Sequence, residues 1–330
     1  MTSMRALFIG GTGTISSACV DRAVEVGFDV TILNRGVSAS WAPHPDARVI
    51  TADVRDLRAI REALGRRRFD VVVDFVAFVP EHVLTDLAVF AGLTGQYVFI
   101  SSASAYAKPV VRLPIVESTP LRNPFWQYSR DKIACEDRLL LAHREEGFPV
   151  TIVRPSHTYD ETLLPFGGGG YTVLDRMLRG RPVVVHGDGT SLWVLTHHRD
   201  FARGLVGLLG HPAAAGEAFH ITSDEALPWN EIYRAVARAA DVEARLVHVP
   251  SAIIAREHAE WGAGLLGDKA HSVLFDNTKI KRFVPDFLAT IPFHVGAREI
   301  VAYHLSHPNS RQVDAAVDAL MDRLVDRFSA

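Results

Sequence analysis

Cysteine is nearly absent from this chain: Cys19 and Cys135 lie far apart, with no Cys-x-x-Cys spacing. Two such residues exclude a disulfide framework and point to reduced thiols, the usage of a cytoplasmic protein. Long apolar runs are missing too, and the longest are of strand length, too short to cross a bilayer. The N-terminus leads straight into such a run, so no signal peptide is expected. Nor is one sign of charge in excess. A formal net charge of −3 gives no electrostatic ground for nucleic acid or an anionic membrane as a partner. Internal repeats and low-complexity segments are also lacking. What is present is an ordinary globular composition, 48% hydrophobic and 22% charged. Its 330 residues suffice for one large α/β unit or two closely joined lobes.

The first half alternates short apolar runs with helical patterns. Strands are expected at 5–9, 29–33, 48–51, 70–75, 96–101 and 150–154, and helices at 16–26, 57–66, 80–91 and 128–146. Strands apolar along their whole length belong where helices cover both faces of a parallel sheet, so this rhythm predicts an α/β, doubly wound parallel sheet. Past Arg154 the texture changes. A glycine-rich loop at 164–171 is followed by an apolar run at 182–186, a turn at 187–189, a helix at 200–209, a strand at 218–222 and a helix at 229–240. This reads as a smaller, mixed C-terminal substrate lobe made of 156–198 and 226–330. The dinucleotide-binding part is 1–155, with part of 199–225 returning to it. Val313, Val317, Leu320, Leu324 and Phe328 form a stripe on the last helix, expected to dock on the same chain; a homodimer interface is the other reading.

Between the first strand and the first helix runs Gly10-Gly11-Thr12-Gly13-Thr14-Ile15-Ser16. Glycines there let the chain turn tightly and let a pyrophosphate approach the positive helix N-terminus, as in a Rossmann-type cofactor site. Read as Gly-x-x-Gly-x-x-Gly, the third place holds Ser16, a small substitute. The second strand ends Asn34-Arg35, where an acidic residue would repel a 2′-phosphate. Asn34 removes that repulsion and Arg35 can pair with the phosphate, which favours NADP(H) with NAD(H) possible. Asp53, after the third strand, either accepts from the adenine amino group or caps the helix that follows.

Tyr128 and Lys132 stand four residues apart, so one helix face carries both. An ammonium beside a phenol favours the phenolate and is expected to lower the tyrosine pKa towards a range useful for proton transfer. A serine hydroxyl from the preceding strand, within Phe99-Ile-Ser-Ser-Ala-Ser-Ala-Tyr106, can hold the substrate oxygen.

In this order, the glycine turn, Asp53, the serines before Tyr106 and Tyr128-x-x-x-Lys132 resemble the short-chain dehydrogenase/reductase superfamily. Arg154-Pro155 and the later Gly187-Asp-Gly189 with Asp200 resemble its extended branch, the NAD(P)-dependent sugar epimerase/dehydratase family, over nearly the whole chain. The resemblance implies Tyr128 as catalytic acid/base, Lys132 as its tuner and ribose anchor, and Ser102 as the substrate-orienting hydroxyl. It implies cofactor contacts from Gly10, Gly13, Thr14, Ile15, Asn34, Arg35, Asp53, Ala77 and Lys132, and substrate contacts from Ser104, His157 and Trp193. The activity implied is hydride exchange at a hydroxyl-bearing carbon of a sugar, nucleotide sugar or nucleoside-like substrate, as an epimerase or as a ketoreductase with net cofactor turnover. Departures narrow it. Ala103 and Ser104 replace the Asp-Glu pair of 4,6-dehydratases, so dehydration is not expected, and Ser104 also replaces the cysteine of certain 3,5-epimerases. Trp193 stands where many members have an arginine for the nucleotide diphosphate. Segments 33–36 and 72–80 also resemble an atypical branch that includes chloroplast stem-loop RNA-binding proteins, so a non-catalytic RNA-binding role is the alternative.

His157 is expected to donate to substrate or to serve as a second base, against the plainer reading of a histidine satisfied by nearby backbone. His197-His198 would point to opposite faces of an extended segment, and no metal is expected. Asp200 reads as the N-cap of helix 201–209. Arg66-Arg67-Arg68 reads as a solvated helix end.

Overall fold

Side-chain alternation along β1 (Arg5–Ile9) shows how the sheet is built. Ala6 and Phe8 join one apolar layer with Ile32, Val71 and Val73. Leu7 and Ile9 join the opposite layer with Leu33 and Val72. Both faces are covered, so the strand is apolar throughout, as period-two geometry demands. The computed structural model describes residues 3–37 and 41–329. After β1 come α1 (Ser16–Glu25), β2 (Asp29–Asn34), β3 (Arg48–Thr51), α2 (Leu57–Leu64), β4 (Phe69–Asp74), α3 (Pro80–Phe90), β5 (Thr94–Ile100), α4 (Gln127–Glu146) and β6 (Val150–Pro155). The second half runs β7 (His157–Tyr159), α5 (Tyr171–Leu178), β8 (Val183–His186), β9 (Leu192–Trp193), β10 (Leu195–His197), α6 (His198–Leu208) and β11 (Ala218–Ile221). It continues with β12 (Leu227–Pro228), α7 (Trp229–Ala239), β13 (Leu246–Val249), α8 (Ser251–Glu257), α9 (Ala259–Gly264), a π-helical turn (Leu265–Lys269), α10 (Thr278–Phe283), α11 (Phe293–Ser306) and α12 (Ala315–Phe328).

Seven strands form the main sheet in the order β11-β6-β5-β4-β1-β2-β3, and every pairing is parallel. The order reverses at β1, between β2 and β4, which opens a crevice at the carboxyl ends of the strands. β11 returns from far along the chain to pair with β6, Ala218 opposite Ile152 and Ile221 opposite Pro155. A second core lies outside the sheet and joins α5, α7, α11 and α12.

The expected elements of the first half are all present, with ends moved by one or two residues. β3 is the least apolar because it is the sheet edge, where one side has no neighbour. Val317, Leu320 and Leu324 are buried in the same chain's core, whereas Val313 precedes α12 and is exposed. Arg67 donates to the Ala63 and Leu64 carbonyls while Arg66 and Arg68 face solvent, a plain helix end. Asp200 does not cap α6: the cap is His197, whose ring accepts from the Arg199 N–H. Asp200 sits in the first turn and accepts from the Ile291 N–H at 2.9 Å. Among the described residues, no helix is long and apolar enough to cross a membrane.

Candidate active site

The turn after β1 admits only glycine at Gly10, where φ is +79° and a Cβ would come within 2.5 Å of Val76 Cγ1. Ser16 does more than fill the third glycine's place. Its Oγ donates to the Gly10 carbonyl at 2.6 Å and accepts from the Gly13 N–H at 2.8 Å, so it fastens the turn at both ends. A cavity of about 510 Å³ opens beside this turn, lined by Gly10, Gly13, Asn34, Arg35, Asp53 and Arg55 among others. Asn34 Nδ2 donates to Thr12 Oγ1 at 3.1 Å. Arg55 is tied down between Asp74 (3.1 Å) and Asp86 (2.9 Å), whereas Arg35 pairs with no carboxylate among the described residues. Asp53 accepts from the Arg55 N–H, and Asp56 is the residue that caps α2, so the capping role expected of Asp53 falls away. Thr14, Ile15 and Ala77 are not among the lining residues. The glycine cradle and the polar rim at Asn34, Arg35 and Asp53 fit the adenosine half of a dinucleotide.

A smaller cavity of about 250 Å³ brings together Ser102, Ser104, Tyr128, His157 and Trp193. Ser102 follows β5 and begins a short 3-10 turn. Its Oγ accepts from the Ser104 N–H at 3.2 Å and lies 2.9 Å from Ser104 Oγ, which in turn accepts from Ser129 Oγ at 2.7 Å. Ser104 can therefore pass its single proton to Ser102, leaving the Ser102 proton for the phenol or a ligand. Ser104 itself is buried, a support for Ser102 more than a contact surface.

Burial pushes the Tyr128 phenol up to about 12; the hydrogen bond from Ser102 opposes this and Asp268 adds to it. The expected lowering by Lys132 does not occur. Two carbonyls take the ammonium: Nζ donates to Ala77 O at 2.6 Å and Ile100 O at 2.7 Å, and lies 5.8 Å from the Tyr128 ring centre. The Ala77 carbonyl is aimed by Asp74, whose Oδ1 accepts from the Val76 and Ala77 N–H groups. Burial lowers the Lys132 pKa to about 8.

Trp193 Nε1–H donates to His157 Nδ1 at 3.1 Å, so the imidazole proton sits on Nε2. Burial, and then the charge on Lys269, lower the His157 pKa to about 3. His157 Nδ1 thus meets an indole N–H and not a backbone group, against the backbone-satisfied reading. Trp126, Asp268, Lys269 and Phe275 also line this cavity and were missed. Trp126 was visible two residues before Tyr128. Asp268 and Lys269 arrive through the π-helical turn, and no spacing announced them. Asn123 gathers these parts. Its side chain donates to the carbonyls of Ser104 and Gly267 and accepts from the N–H groups of Phe125 and Trp126.

His197 and His198 do not separate as an extended segment would place them: His198 opens α6, and the two rings meet edge to face with centres 4.6 Å apart. His197 Nε2 meets Glu299 at 2.8 Å, and His198 Nε2 lies 3.7 Å from Glu161. Asp160, Glu161 and His198 bring ligand-type atoms within 4.8 Å of one another, but both Asp160 oxygens already accept hydrogen bonds, from Thr162 and Trp41.

Residues 6–222 match the pattern of the NAD dependent epimerase/dehydratase family. The chain is 27% identical over 272 residues to 2'-dehydrokanamycin reductase of Streptomyces kanamyceticus, covering 81% of this chain and 73% of that protein. It is also 27% identical over 257 residues to a chloroplast stem-loop binding protein of 41 kDa of Arabidopsis thaliana, covering 74% and 65%. Its fold is similar to that of UDP-glucose 4-epimerase from Bifidobacterium longum, solved with NAD+ and UDP. That match has a TM-score of 0.74 at 19% identity, covering 93% of this chain and 99% of the other.

Proposed function

The chain belongs to the NAD dependent epimerase/dehydratase family, and from that premise we propose that it is a nicotinamide-dependent oxidoreductase or epimerase. Its substrate is a sugar or sugar-like molecule, and the reaction lies at a hydroxyl-bearing carbon. The observation that carries this reading is the shared cavity of Ser102 and Tyr128, with Lys132 fixed behind them. When bound, the nicotinamide gives or takes the hydride. This chain's part is to hold the substrate and move a proton. Ser102 donates to the reacting oxygen, and Tyr128 Oη gives that oxygen its proton or removes it. Lys132 ties the segment after β4 to the end of β5, through Ala77 O and Ile100 O, and would be the anchor for the cofactor's ribose. His157 Nε2–H is a further donor to substrate, and Trp193 holds its tautomer.

Nucleotide binding is assigned to residues 1–155 with part of 199–225, and substrate binding to 156–198 with 226–330. Preference for NADP(H) over NAD(H) rests on Asn34 and on Arg35, which lines the cavity beside the tethered Arg55 and pairs with no carboxylate among the described residues. Against dehydration stand the residues beside Ser102. Ala103 and Ser104 offer neither acid nor base, and the one carboxylate lining the cavity among the described residues, Asp268, faces the Lys108 ammonium at 3.5 Å. A phenol held protonated at neutral pH favours giving a proton to a ketone, so net reduction is the second reading. RNA binding is set aside because the serine, tyrosine and lysine are intact and the net charge is −3.

The test is incubation of the purified protein with candidate sugars while NAD(P)H and isomers are followed. Tyr128→Phe is expected to lose about 10²–10⁴-fold in turnover and to keep its cofactor affinity. Unchanged turnover in that variant would sink the mechanism. Isomers formed without net NAD(P)H change would rule out the simple reductase.

A further inference from the structure

Lys269 closes the π-helical turn, and its backbone is pinned there: its carbonyl accepts from His186 Nε2 and from Trp229 Nε1, each at 3.0 Å. A π turn departs from ordinary helical spacing and is often found at functional sites. From it the Lys269 side chain runs between two indoles. Nζ lies 5.5 Å from the Trp126 ring centre and 5.6 Å from that of Trp193. Indole faces attract a cation but offer no lone pair to its three N–H donors. Among the described residues, no hydrogen-bond acceptor meets this ammonium, and it lines the same cavity as Tyr128 and Ser102.

The charge balance of the cavity gives the class of ligand. Its other charged lining residue is Asp268, whose carboxylate is 3.5 Å from the fully buried Lys108 ammonium. His157 is neutral. Among the described residues, one positive charge is therefore left without a counter-charge. Burial lowers the Lys269 pKa, Asp268 opposes that, and Lys108 adds to it. An oxyanion placed there would supply both the acceptor and the counter-charge that the site lacks. We infer that the substrate is a sugar bearing a carboxylate or a phosphate, and that Lys269, between Trp126 and Trp193, is the receptor for that group. This rests on the reading of the cavity as the substrate site.

The test measures binding of four hexoses to the cofactor-loaded protein by calorimetry: glucose, glucosamine, glucuronate and glucose 6-phosphate. At least one of the two anions is expected to bind about tenfold more tightly than glucose, equal to about 1.4 kcal/mol. Glucosamine should bind no more tightly than glucose. Glucuronate against glucose 6-phosphate tells carboxylate from phosphate. Lys269→Met should erase the preference and Lys269→Arg should keep it, with NADPH fluorescence titration showing that both variants fold and hold cofactor. Equal affinity for glucose and both anions overturns the inference, as does a preference that survives in Lys269→Met. Failure of the loaded protein to bind any of the four overturns it as well. Failure to bind either nicotinamide cofactor overturns the proposed function together with this inference, whereas cofactor binding without charge preference removes the inference alone.

Discussion

Replacing Lys132 by methionine separates what this lysine does for stability from what it does for chemistry. Two buried carbonyls, Ala77 O and Ile100 O, lose their donor. Orphaning each costs about 1–3 kcal/mol, so the loss is about 2–6 kcal/mol. Against it stands the relief of a burial penalty. A lysine lowered from 10.5 to about 8 carries a penalty of about 3 kcal/mol at neutral pH. The net effect of Lys132→Met at pH 7 therefore runs from about 1 kcal/mol of stabilisation to about 3 kcal/mol of cost, small beside a turnover loss expected to exceed about 100-fold. The pH dependence is the sharper test. Between the two pKa values the unfolded state binds more protons than the folded one, so stability rises with pH for this group. A neutral amine still has two N–H donors, enough for both carbonyls. Wild type should gain about 2 kcal/mol over Lys132→Met between pH 7 and pH 9.5. Urea melts of both proteins without added cofactor, at both pH values, give that difference, and other titrating groups cancel in the subtraction. A constant difference would refute the buried, proton-losing lysine. A cost above about 5 kcal/mol at pH 7 would make Lys132 chiefly structural.

Arg35→Ala should weaken NADP(H) about tenfold or more and NAD(H) hardly at all, as read by NAD(P)H fluorescence titration; equal losses would remove the phosphate-pairing argument. Glu136→Ala strands Arg154, whose guanidinium meets Glu136 at 2.6 Å with both side chains buried. Denaturant melts should show a loss of about 3–5 kcal/mol. A loss below about 1 kcal/mol would mean that the pair does not fix α4 to β6.

The sheet was legible because burial on both faces leaves its mark on sequence: Leu7, Phe8 and Ile9 must all be apolar whichever way they point. The glycine turn and the Tyr128–Lys132 spacing were legible for the same local reason. The geometry of the reacting groups was less so. That Lys132 would be claimed by two carbonyls depends on where β4 and β5 end in space, which four-residue spacing does not encode. Asp200 had the right residue type for a cap, yet His197 took that place because its ring reaches back to the Arg199 N–H. The π turn lay hidden because Asp268 and Lys269 meet Tyr128 only through tertiary packing across about 140 residues of chain.

The late return of β11 has a consequence for how the chain is made. β6 is complete at Pro155, but its outer partner is not synthesised until residues 218–221. At about 5–20 residues per second the interval lasts about 3–13 s. Through that time β6 offers a bare row of N–H and C=O groups, flanked by Ile152 and Val153, to any extended strand nearby. Nascent chains of this protein are thus most open to mispairing with one another during a stretch of translation in which the glycine turn and α4 have already emerged.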